Sequence, residues 1–161
     1  MSEFNFNSQV CTSKEQSERL LALGLKKETA DCYYWQENDH TYGEATGVWH
    51  LETLDTEDTQ EHFEYLDKYF GVCLAADEEH YFIPAWSMHR MIEMMPKVIK
   101  LCYPNLHFTM LHDSVHYCDF DYDEEFEQVF SAKNNIYENI IDCYEWLIKN
   151  WYFDEALLNK E

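Results

Sequence analysis

Apolar residues recur with helical spacing at several places along this chain and alternate with polar ones at others. Leu20, Leu21 and Leu23 follow Thr12 and Glu15, a pair with capping-box spacing, and precede Gly24, a residue suited to the left-handed turn that closes a helix. This predicts a first helix over about 13–23. Residues 26–31 have room for one more helical turn, after which Tyr33, Tyr34 and Trp35 read as extended chain rich in strand formers. The polar stretch 36–47 holds two of the four glycines and reads as a loop. From Val48 to Leu54 polar and apolar residues alternate, as a half-exposed strand requires.

Phe63, Leu66 and Phe70 place a second amphipathic helix over 56–69, with an acidic opposite face. Residues 72–76 and 80–83 flank Asp77, Glu78 and Glu79 as the arms of a hairpin. Ser87 can cap a third helix, whose Met88, Met91, Ile92 and Met95 form a core-facing stripe that Pro96 ends. Residues 106–111 and 115–120 make a strand pair around His112, Asp113 and Ser114. The last helix is the clearest: Asn135 and Glu138 have capping spacing, and Tyr137, Ile140, Ile141, Tyr144, Leu147, Ile148 and Trp151 share one stripe. With no internal repeat or Pro/Gly-rich linker, the expectation is a single α+β domain over 1–161, its mostly antiparallel sheet packed with amphipathic helices.

Charge narrows the choice of partners. The 161 residues carry 32 Asp and Glu against 11 Lys and Arg, a formal charge of -21. A hydrophobic content of 46%, with 5 Trp, 12 Tyr and 10 Phe, distinguishes the chain from an acidic disordered tail, which lacks the apolar surface needed to offset chain entropy. Nucleic-acid phosphates and anionic headgroups reward basic clusters, so direct binding to nucleic acid or membrane is not expected. No apolar run reaches the length of a membrane span, and residues 1–10 lack the marks of a signal peptide, which points to the cytoplasm. There Cys11, Cys32, Cys73, Cys102, Cys118 and Cys143, far apart and without a CxxC pair, should be free thiols.

Candidate chemistry is sparse. His107, His112, His116 and Cys118 are a conceivable zinc set, although the HxxxH spacing spans a turn and half-exposed strand histidines explain it more simply. Asp119, Asp121 and Asp123 resemble the start of a calcium loop, but Glu124 stands where an EF-hand needs Gly, and Phe130 where it needs a bidentate Glu, so strand-edge solvation is the better reading. There is no GxSxG, SxxK, HExxH or glycine-rich phosphate loop, hence no cofactor is expected and no catalytic residue is assigned. The acids Glu57, Asp58, Glu61, Glu64 and Asp67 define a candidate interaction face, whose carboxylates could mimic nucleic-acid phosphates towards a basic partner.

Three blocks carry a resemblance: residues 12–25 with Thr29 to Asp31, the run Ile83-Pro84-Ala85-Trp86-Ser87-Met88 with its methionine-rich helix and Pro96, and residues 141–148. They resemble a group of small uncharacterised proteins from Bacteroides and their phages or integrated mobile elements. The resemblance implies a cytoplasmic accessory-genome protein and carries no site residue across. The acidic middle, 52–79, departs from that pattern. The function expected is therefore non-catalytic binding of an unidentified protein, with a metal-binding module or metal-dependent hydrolase on the His/Cys cluster as the alternative.

A chain of charge -21 repels itself, over about 30 Å at 0.01 M ionic strength but only about 10 Å at 0.1 M. The thermal midpoint should therefore rise as sodium chloride is added from low values. A midpoint that falls would mean that attractive pairs dominate the surface.

Overall fold

Helix α1 spans Lys14–Ala22 and is entered through a reciprocal capping box. The Ser13 hydroxyl accepts from the Gln16 amide, and the Gln16 side chain accepts from the Ser13 N–H. The cap thus lies one residue beyond the predicted Thr12 and Glu15, because Thr12 is fully buried and committed elsewhere. Gly24 has φ +91° and closes α1: the Gly24 and Leu25 amides donate back to Leu21 and Leu20, a Schellman motif. The computed structural model describes residues 9–39, 44–53, 82–101, 105–111, 114–119, 127–131, 133 and 135–159.

A 3-10 turn, Lys27–Thr29, leads into strand β1, Cys32–Asp39, which pairs antiparallel with β2, Glu44–Thr53. The loop expected over 36–47 is corrected here, since the ladder continues through Asn38 opposite Ala45 and Asp39 opposite Glu44. Backbone hydrogen bonding does not require apolar side chains, so a polar hairpin end is silent in the hydrophobic pattern. Strand β3, Phe82–Ala85, lies on the other side of β1, giving the order β2-β1-β3. The helix expected over 56–69 and the arm at 72–76 lie outside the described residues.

Ser87 caps α2, Met88–Met94, as predicted, with Met91 and Met95 buried and Met88 and Ile92 partly so. A second antiparallel sheet follows, in sequential order: β4, Val98–Ile99; β5, Leu106–Met110; β6, Val115–Cys118; and β7, Glu127–Ser131. The fold is α+β with antiparallel strands and packed helices, as expected, and among the described residues the strands form two sheets.

Helix α3, Ile136–Lys149, lies against this second sheet and buries Tyr137, Ile140, Ile141, Cys143, Tyr144 and Leu147. Its cap is Asn135, whose side chain accepts from the Tyr137 amide at 2.8 Å. Glu138 does not complete a capping box; its carboxylate instead accepts from Gln16 at 2.6 Å and Arg19 at 3.2 Å, tying α3 to α1. Trp151 is also corrected. It lies beyond the helix with φ 63° and 84% of its surface exposed, rather than on the buried stripe. None of the described helices is long and apolar enough to cross a membrane.

One core joins the elements, from Leu20 and Leu25 through Tyr33 and Trp86 to Met91, Leu106, Tyr117 and the inner face of α3. Its tyrosines also bind backbone carbonyls of other segments: Tyr144 donates to Met91, Tyr117 to Pro96 and Tyr137 to Val10, at 2.6–2.7 Å. Burial raises the pKa of all three hydroxyls, which keeps them as donors.

Leu147 has no exposed surface and sits in the middle of this core. Leu147→Ala should lower unfolding free energy by about 2 to 5 kcal/mol in denaturant melts. A loss below about 0.5 kcal/mol would mean that this face of α3 is not packed as described.

Candidate functional site

Register decides what the histidines can do. In β5 and β6, His107 is opposite Cys118 and Thr109 opposite His116, so these four side chains share one face of the sheet. Leu106, Phe108, Val115 and Tyr117 take the other face, towards the core. Three of the four candidate ligands thus come to one side, while His112 lies outside the described residues. The two nearest the middle have neighbours of their own: His116 Nε2 lies 2.7 Å from the Ser114 hydroxyl, and Cys118 Sγ lies 3.7 Å from that of Thr109. Among the described residues no three His, Cys, Asp or Glu side chains are grouped closely enough to hold a metal ion.

Asp119 is only 6% exposed, which corrects its reading as a solvated strand edge. A carboxylate with so little contact with water needs partners within the protein. Asp121 and Asp123 lie outside the described residues, as do Glu57, Asp58, Glu61, Glu64 and Asp67 of the acidic interaction face.

A second polar cluster was not anticipated from sequence. Asp31 ends the turn before β1 and accepts from the Ser87 amide at 2.8 Å and from the Ser87 hydroxyl, so both carboxylate oxygens hold the start of α2. Beside it is an open cleft of about 470 Å³, lined by Val10, Asp31, Thr53, His89, Arg90 and Glu93 among others. Arg90 Nη1 donates to Glu93 at 3.0 Å. Two pairs thus stand in the cleft wall, Asp31 with Ser87 and Arg90 with Glu93, and in the first the Ser87 hydroxyl is spent on holding the start of α2. The only sequence signal for this cluster was Ser87 as a helix cap; the partner Asp31, 56 residues earlier, left none.

Cys11 and Cys32 belong to a small satellite core with Ala85 and Tyr34. Their thiols interact: the hydrogen bond from Cys32 lowers the pKa of Cys11, while the same bond, then burial, raises that of Cys32. Cys143, against the second sheet, is pushed up to about 12 by burial. On the first sheet the exposed Glu52 carboxylate accepts from the Tyr33 hydroxyl at 2.7 Å and from Trp35 Nε1 at 3.0 Å, and Trp35 stacks on His50 with centroids 4.4 Å apart. Burial, then Glu52, raises the Tyr33 pKa, so this hydroxyl serves as a fixed donor rather than as a base.

Cations show where charge has been placed. Arg19 reaches from α1 to three carboxylates of α3, Glu138 at 3.2 Å and Asp142 and Glu145 at 2.8 Å each. Lys133 binds Asp142 at 2.7 Å, Lys14 lies 4.1 Å above the Trp49 ring, and Lys26 donates to the Ala156 carbonyl. Comparison with protein-family models, with curated proteins and with solved structures found no match for this chain.

Thiol access follows from this packing. Among the described cysteines, peptide-resolved alkylation of the native protein at pH 8 should modify the partly exposed Cys118 first, and label the buried Cys11, Cys32 and Cys143 only when denaturant is added. Native labelling of Cys143 at the rate of Cys118 would contradict its burial between α3 and the second sheet.

Proposed function

We propose that this protein is a non-catalytic, cytoplasmic binding protein of phage or mobile-element type, whose acidic surface engages a basic protein and, in the sharpest version, imitates nucleic acid towards it. The observation that supports this reading is the use of its cations. Arg19, Lys133 and Arg90 are each paired with carboxylates of the chain itself, so part of the sparse positive charge is held in local contacts while an excess of acids remains. An uncompensated field of one sign attracts oppositely charged partners over a Debye length and repels nucleic acid. Because every carboxylate contributes to solubility, position must separate recognition from mere charge.

The test uses wild type, a variant with Glu57, Asp58, Glu61, Glu64 and Asp67 changed to Gln or Asn, and a variant of unchanged net charge with those acids relocated. Each is used to pull down proteins from host lysate at 0.15 M and 0.5 M salt, and captured proteins are then assayed for nucleic-acid binding with and without wild type. Mimicry requires a nucleic-acid-binding protein captured by wild type alone, released at high salt, and displaced from its nucleic acid by wild type. Equal capture by all three proteins, or none by any, would remove the proposal.

A further inference from the structure

Resting on the reading of an acidic protein for a basic partner, we infer that Trp151 is a recognition residue, whose exposed indole stacks on an arginine guanidinium of that partner. Trp151 occupies the C′ position of a Schellman motif: its amide donates to the Ile148 carbonyl at 3.1 Å, and that of Tyr152 to Leu147 at 2.9 Å. The motif forces φ to 63°, a region that disfavours bulky side chains and that glycine enters freely. Helix α1 ends in the same motif with Gly24 at the corresponding place.

Tryptophan thus stands where the backbone favours glycine, and its side chain gains little from the fold in return, being 84% exposed. Its neighbours behave otherwise: Tyr152 packs on Trp146 with centroids 5.3 Å apart, and Phe153 on Tyr144 at 5.0 Å. A strained backbone carrying an uncovered indole is accounted for by a contact made outside the chain. The chemistry of that contact follows from charge. An indole face attracts cations, most often arginine, whose planar guanidinium can stack on the ring. The exposed Asp154 and Glu155 follow within four residues, Lys149 precedes it and Lys26 reaches the Ala156 carbonyl, and the chain as a whole carries -21. An anionic or purely apolar occupant would gain nothing from this field.

The experiment titrates labelled nona-arginine and nona-lysine into the full chain at 0.15 M salt, followed by anisotropy, with wild type, Trp151→Ala and Trp151→Gly. Trp151→Gly also serves as the fold control, because relief of the left-handed strain should raise its thermal midpoint. Loss of one exposed cation–π contact should weaken nona-arginine binding about two- to fivefold in both variants and leave nona-lysine less affected. Wild-type binding of nona-arginine by both variants would overturn the role of Trp151 while leaving the acidic reading in place. Failure of wild type to bind either peptide would overturn both.

Discussion

Trp86 sits where three segments remote in sequence must meet, and the surrounding structure is arranged around its polar atoms. It is fully buried, so every N–H it carries has to find a partner inside the protein. Its amide donates to the Thr12 hydroxyl at 3.0 Å, its carbonyl accepts from the Thr12 amide at 2.9 Å, and its indole N–H donates to Thr29 at 2.9 Å. One residue further on, Ser87 takes both oxygens of Asp31. These bonds fix the N-terminal segment, the turn before β1, and the passage from β3 to α2 relative to one another. Leaving a buried donor unsatisfied costs about 1 to 3 kcal/mol, so the junction forms as a set or its buried polar groups oppose folding.

Electrostatics act on a second level, between helices. Arg19 bridges α1 to Glu138, Asp142 and Glu145 with its side chain one-third exposed, a position in which an isolated pair contributes little. What distinguishes it is that it offsets three acids that would otherwise repel one another along the exposed side of α3. In a chain with so few cations, this placement lets an acidic helix pack against α1. The same economy keeps the surface strongly anionic, so the packing of α1 on α3 and the binding character proposed for the molecule share one cause.

Helices α1 and α2 were legible because apolar periodicity and a stop signal agreed there, Gly24 at α1 and Ser87 with Pro96 at α2. The misplaced details have a common origin in tertiary contacts that local sequence does not encode. Thr12 and Ser13 are equally able to cap a helix, and Trp86, 74 residues away, recruits Thr12 into the core and leaves Ser13 to cap. Glu138 had the spacing of a capping partner but was drawn to Arg19 and Gln16. The apolar stripe of α3 was extended to Trp151 because a helix whose C′ residue is not glycine gives no signal of its end. At the candidate site, strand parity groups His112, His116 and Cys118; the ladder has His116 and Cys118 on one face, and His112 lies outside the described residues. The neighbouring Ser114 and Thr109 hydroxyls came into view only once the two strands were aligned.

The two Schellman turns have a joint consequence for how the chain closes. Leu25, directly after the turn of α1, bridges Leu158 beyond the turn of α3, and Leu157 and Gly24 accept from the Lys26 and Asn159 amides. Each helix must reverse at once for these short segments to meet, so the left-handed residue is required at 151 as firmly as at 24. At residue 24 nothing lies within 4 Å of where a Cβ would stand, so the advantage of glycine there is conformational rather than steric. The geometry of closure would therefore be served by glycine at both ends. The indole of Trp151, 84% exposed, adds little to closure, so the fold alone supplies no offset for the left-handed backbone at this position.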